Sequence, residues 1–144
     1  MHLKYTGEIV REKRIIFSPI YVIMKILQKQ SQRWLKKKAW IVFSAYIRKR
    51  DNYICFTCGA RNEKGSNAGH FRHGHTKAGF YNETNVNCQC QRCNLFLSGN
   101  LAEYGLRLAN KVGLDTLTKL KKEWDKDHNW TRKELISLIN KYNV

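Results

Sequence analysis

Asn85-Val86-Asn87-Cys88-Gln89-Cys90-Gln91-Arg92-Cys93-Asn94 is the stretch that decides how the chain is read, together with Cys55-Phe56-Thr57-Cys58 thirty residues before it. Each contains a Cys-x-x-Cys turn, which aims two thiolates at one point. Two such turns complete a tetrahedral thiolate site of the kind that holds zinc. Thiolates are soft ligands and four of them close the coordination shell, so the ion is expected to be structural. It would tie residues 58–90 into a loop and contribute on the order of 10 kcal/mol to folding. Cys55, Cys58, Cys90 and Cys93 are the expected ligands. Cys88 is the spare, since Cys90 is the one with Cys-x-x-Cys spacing to Cys93, and it reads as a small buried side chain. An odd cysteine count of five in this pattern speaks for a reducing compartment and a metal rather than disulfides.

The surrounding composition narrows the partner. The 144 residues, 42% of them hydrophobic, suit one domain with a modest core, for which a metal staple is an asset. Lys and Arg number 27 against 11 acidic residues, a formal charge of +16 that points to a polyanion. The excess is concentrated early: residues 1–50 hold 13 basic and two acidic side chains. An apolar run from Ile15 to Leu27 contains Pro19 and Lys25 and is too short to span a bilayer, so a packed helix or strand is expected and no membrane role.

Residues 31–50 have helical periodicity, with Trp40, Phe43, Ser44 and Ile47 on one stripe and Tyr46 beside it. Lys36, Lys37, Lys38, Arg48, Lys49 and Arg50 make this helix basic, as a phosphate-tracking surface would be. Residues 51–100 have the Cys, His, Asn and Gly content of loops and a short hairpin. Helices are expected over 101–112, stopped by Gly113, and over 114–124. A turn follows over 127–130. A last helix is opened by the Thr131-Arg132-Lys133-Glu134 capping box, with Leu135, Ile136, Leu138, Ile139 and Tyr142 as its apolar face. The division is therefore an N-terminal extension over 1–30, either a dimerisation element or a cap on the core, and one basic domain over 31–144. That domain comprises a basic helix (31–50), a zinc core (51–100) and C-terminal helices (101–144). The fold class is α+β, mainly helical.

Between the two knuckles lies Gly69-His70-Phe71-Arg72-His73-Gly74-His75, three histidines in six residues. Hydrolysis of a phosphodiester needs a base that titrates near neutrality, which His supplies, and a hard cation, which amide and carboxylate oxygens suit and thiolates do not. His70, Asn85 and Asn94 are the candidate catalytic residues.

The order Cys55-x-x-Cys58, Gly69-His70, Asn85, Cys90-x-x-Cys93-Asn94 resembles the zinc-bearing HNH nucleases, the ββα-metal or His-Me finger group, whose finger is treble-clef-like. The blocks from Phe43 to Asp51, Cys55 to Gly59, Gly69 to Arg72, Asn85 to Asn94, and Leu97-Ser98-Gly99-Asn100 with Tyr104 resemble more closely the phage NinG, or Rap, recombination proteins, over about residues 40–140. That resemblance implies a structure-specific endonuclease acting on Holliday junctions and other branched DNA in the cytoplasm of a phage-infected or prophage-bearing cell. It implies His70 as general base, Asn85 as the residue that orients it, Asn94 as a ligand of a catalytic Mg²⁺ or Mn²⁺, and products with 5′-phosphate and 3′-hydroxyl ends. Symmetric cutting of a four-way junction implies a homodimer. Many HNH enzymes carry a metal-binding Asp immediately before the base. Here Gly69 stands there, so another group must complete the cation's shell; His73 and His75 are the first candidates, Asp51 and Glu103 the next. Arg48, Lys49, Arg50, Arg72, Lys77 and Arg92 are the candidate DNA contacts. Two other classes share part of this pattern: a zinc-stapled DNA-binding module without catalysis, which gives no reason for the His70, Asn85 and Asn94 set, and an HNH nuclease for linear duplex.

Overall fold

The computed structural model describes residues 19–143; the expectations for residues 1–18, including the start of the apolar run, lie outside them. The described chain is mainly helical around one antiparallel hairpin. Its helices are α1 (Pro19–Lys29), α2 (Gln32–Arg50), α3 (Leu101–Val112), α4 (Leu114–Trp124) and α5 (Arg132–Tyr142), and its strands are β1 (Ser66–His70) and β2 (Val86–Cys90). A 3₁₀ turn, Ala78–Tyr81, lies between the strands, and a single π turn, Arg92–Phe96, follows the second.

The helix ends follow their caps. Ser31 accepts a hydrogen bond from the Trp34 amide at the start of α2. Gly113, at φ +83°, separates α3 from α4, a backbone state that side-chain-bearing residues rarely adopt. Thr131 and Glu134 close a reciprocal capping box at α5. After the second knuckle the chain makes a single π turn and no α-helix until Leu101. Gly99 N–H donates to the carbonyls of both Cys93 and Asn94, and Ser98, Gly99 and Asn100 all have positive φ, so the turn ends before an α-helix can propagate.

The hairpin pairs Ser66 with Cys90 and His70 with Val86. Two apolar clusters cover it. One joins α2 and α5 through Phe43, Ile47, Leu135 and Ile139 and includes Ala68, Val86 and Leu27 of α1. α1 thus packs on α5, where Arg132 donates to the Gln28 and Gln30 carbonyls. The other joins α3 and α4 through Tyr104, Leu108, Leu117 and Trp124. Among the described residues no helix is long and apolar enough to cross a membrane.

Candidate nucleic-acid and metal site

The two Cys-x-x-Cys turns converge. The sulfurs of Cys55, Cys58, Cys90 and Cys93 all lie within 4.8 Å of one another. Cys58 and Cys90 stand 3.7 Å apart, close to the roughly 3.8 Å edge of a tetrahedron with 2.3 Å zinc–sulfur bonds. The first turn is tightened by Gly59 N–H donating to the Cys55 carbonyl. Burial works against ionising Cys55, but the Thr57 hydroxyl, 3.3 Å away, and nearby amides bring its thiol down to about 6. Cys58, although helped by the Ala60 amide, is pushed up to about 12 by burial and its sulfur neighbours. Four thiols that cannot all ionise together are a site that a divalent cation stabilises. Cys88 stays out of the cluster, fully buried on β2, where burial raises its thiol to about 11.

β2 then presents amides where a strand usually presents apolar side chains. Asn87 and Gln89 share one face of it, Asn85 immediately precedes it in the same alternation, and all three are buried. Asn85 pins the histidine loop: its Nδ2 donates to the Arg72 and Gly79 carbonyls, and its Oδ1 accepts from Arg72 N–H. Asn87 donates to the Tyr104 hydroxyl, which donates in turn to the Gly69 carbonyl. Gln89 donates through Nε2 to the Gly99 carbonyl and the Thr57 hydroxyl.

His70 ends β1 and packs against Trp40 and Phe80. Its Nε2 meets the Phe80 carbonyl at 2.9 Å. A carbonyl only accepts, so Nε2 carries the proton and Nδ1 keeps its lone pair. Burial pushes this imidazole down to about 4, opposed by the Phe80 carbonyl. His70, His73, His75 and Asn94 all line one cavity of about 520 Å³, with Trp40, Arg72 and Ser98. Asn85 lies behind it, as an orienting residue would.

Ring centres of His70 and His73 are 5.6 Å apart and those of His73 and His75 5.5 Å; among the described residues the four cysteines are the set of three or more thiols, imidazoles and carboxylates that converges. The acidic candidates are engaged elsewhere. Asp51 binds Arg50 through both oxygens and accepts from the Cys88 amide; Glu103 pairs with Arg107.

The basic candidates divide. Arg50 is structural, since besides Asp51 it donates to the Glu83 and Val86 carbonyls and to Asn87. Arg72 pairs with Asp125 at 2.6 Å while lining the cavity, and Lys77 pairs with Asp127. Lys49 and Arg92 are exposed and Arg48 is half-buried. Lys36 and Lys37, noted only as part of a basic helix, line a second groove of about 250 Å³ that shares Trp40, His75 and Phe80 with the cavity. Their spacing, four and three residues before Trp40, is the signal that would have placed them on that face.

The family described as "Bacteriophage Lambda NinG protein" matches residues 21–144. Protein ninG of Escherichia phage 933W is 32% identical over 125 residues, covering 83% of this chain and 60% of that protein; those of Escherichia phage lambda and Salmonella phage P22 are each 31% identical over 125 residues, covering 83% of this chain and 59% of theirs. The chain therefore spans about 60% of the length of the curated relatives it matches. No solved structure matches. By the extent of the family match, from the first turn of α1 to residue 144, this chain belongs to the NinG family of phage proteins.

Proposed function

We propose that the protein is a metal-dependent DNA endonuclease of HNH type, acting on branched recombination intermediates such as Holliday junctions. The observation that carries this is the state of His70: a half-buried, neutral imidazole, its Nε2 proton held by the Phe80 carbonyl, on the wall of a cavity that Asn94 also lines. That is the disposition of a general base, unprotonated at neutral pH and fixed in one tautomer; a cavity anion such as a phosphate would raise its proton affinity from the value near 4 toward neutrality.

In this reading Nδ1 of His70 takes the proton of an attacking water. Asn85 keeps the loop from Arg72 to Gly79 closed, so the imidazole does not drift. Arg72, steadied by Asp125, stands at the cavity to meet a phosphate. Asn94 is the amide that would hold Mg²⁺ or Mn²⁺; when bound, such an ion supplies positive charge to the phosphate and the leaving 3′ oxygen. Zinc in the cysteine site stays structural and holds the hairpin to the π turn that carries Asn94. Phosphate contacts by lysine and arginine carry no sequence information, which suits recognition of DNA shape. Symmetric cutting of a four-way junction would use two copies of the chain.

The test is cleavage of a four-way junction and of a matched linear duplex, in Mg²⁺ and in Mn²⁺, by wild type and His70→Ala. Wild type should cut the junction in preference. The variant should keep its zinc and its DNA affinity and lose cleavage by at least about 100-fold, within the range for loss of a general base. Equal cutting by both proteins would remove His70 from the mechanism. Equal rates on both DNAs would assign the enzyme to duplex, and no cutting by wild type would leave a DNA-binding module.

A further inference from the structure

We propose that Gln89 supplies the second protein oxygen of the catalytic cation site, beside Asn94, in the space that Gly69 leaves open. This rests on the reading of the cavity as a nuclease site and identifies a ligand which that reading leaves unassigned.

Gln89 is fully buried, and its Nε2 is committed to the Gly99 carbonyl at 2.7 Å and the Thr57 hydroxyl at 3.3 Å. Those two acceptors fix which end of the amide is nitrogen. The other end, Oε1, has no hydrogen-bond partner. It crowds the place where a Cβ on Gly69 would stand, and Asn94 Oδ1 is 2.9 Å from that same point. Two amide oxygens are thus turned toward one spot with no donor between them. An unsatisfied buried acceptor is destabilising, and a second oxygen near it adds repulsion. A hard divalent cation changes the sign of that arrangement, because amide oxygens are ordinary ligands for Mg²⁺ and Mn²⁺.

Gln89 does not itself line the cavity; Asn94 does, and so do Ala68 and Gly99. The point between the two amide oxygens thus adjoins the cavity wall, on which the alternatives are weak. No carboxylate lines the cavity, and the three histidines do not converge. A cavity of about 520 Å³ leaves room for the waters that such cations retain. The pair also accounts for Gly69 within this chain: any side chain there would displace Gln89 Oε1.

The experiment titrates Mn²⁺ alone into the zinc-loaded full-length protein and follows free Mn²⁺ by electron paramagnetic resonance, with zinc content measured on each variant. Wild type should bind one Mn²⁺ in addition to its zinc. Gln89→Met should keep the zinc and weaken Mn²⁺ binding by at least about tenfold. Gln89→Glu separates a ligand from a structural amide. A structural role needs the Nε2 donors, which Glu lacks, whereas a ligand role needs the oxygen, which Glu keeps with added charge. Glu at this position should therefore bind Mn²⁺ at least as tightly as wild type. Should Gln89→Met fail to take up zinc, Gly69→Ala serves instead: its methyl displaces Oε1 and should produce the same loss. Wild-type affinity in Gln89→Met or Gly69→Ala, weakened binding in Gln89→Glu, or no Mn²⁺ bound by wild type would overturn the assignment. Because Mn²⁺ is read without DNA, loss of Mn²⁺ binding on Gln89→Met beside a wild type that cuts nothing would sink the nuclease reading and leave the cation site standing. Cleavage by wild type together with unchanged Mn²⁺ affinity in Gln89→Met would do the reverse.

Discussion

His70 combines burial with a single hydrogen bond to the Phe80 carbonyl, and the two act on its protonation in opposite directions; burial is the larger. The unfolded chain takes up a proton at the ordinary imidazole value near 6.5, while the folded chain resists until about 4. Between those values acidification favours the unfolded state. The stability from keeping His70 neutral is complete above about pH 6.5 and is lost as pH falls toward 4. Between pH 7 and pH 5 this should cost wild type about 2 kcal/mol more than His70→Gln, which has nothing to titrate there. Urea unfolding of the two zinc-loaded proteins at both pH values measures it. Protonation of the zinc thiolates is common to both and cancels in the difference, so equal losses would mean that His70 is solvated. The same residue shows how far sequence reasoning reaches. Three histidines in six residues marked the loop, but the choice of one tautomer depends on the Phe80 carbonyl ten residues on, which a 3₁₀ turn delivers and no local pattern announces.

At the scale of elements, the hairpin is short and its faces differ in kind. Ala68 and Val86 join the α2–α5 core, whereas Asn85, Asn87 and Gln89 direct their hydrogen bonds to the histidine loop, to Tyr104 of α3 and to the turn at Gly99. Little of that strand's stability comes from apolar burial of its own, which makes the metal knot at its end decisive. Removing zinc with a strong chelator should release residues 51–100 while α2 and α5 keep their mutual packing. Hydrogen exchange should show loss of amide protection across Ser66–His70 and Val86–Cys90, with the α2 amides changing least; uniform loss over both helices would mean that metal and helical core unfold as one unit. The α-helices were legible because their ends carry local chemistry: Ser31, Gly113 and the Thr131–Glu134 box are signals within one turn of the boundary they set. The four cysteines were legible by spacing. The segment after Cys93 was not, because a π turn there is imposed by left-handed backbone at Ser98, Gly99 and Asn100, and only one of those three is a glycine. Gln89 was also invisible, since an amide in a Cys-rich strand carries no signal until Gly69 is seen across the hairpin from it.

For the whole molecule, on the proposed function, the question is which of its many cations would meet DNA. A formal +16 guarantees attraction but not a path, and several of the strongest-looking residues are already paired. Arg50 braces β2 to the end of α2, Arg72 is held by Asp125, and Lys77 by Asp127. Lys36 and Lys37 are exposed, have no acidic partner among the described residues' ion pairs, and line the groove that runs into the His70 cavity past Trp40 and His75. A phosphate backbone entering the cavity along that groove would place two phosphates on these lysines. Each phosphate contact releases about 0.9 counterion, so Lys36→Ala with Lys37→Ala should lower the slope of log affinity against log salt by about 2. Arg50→Ala should behave oppositely: it strips Asp51 of its partner and lowers the unfolding midpoint, yet leaves the slope nearly unchanged in the protein that remains folded. Fluorescence anisotropy of a labelled junction across a salt series, beside a urea melt of each variant, reads both quantities. A slope unaffected by losing the two lysines would move the DNA path off this face of α2, toward Lys49 and Arg92, whose removal would then carry the salt dependence.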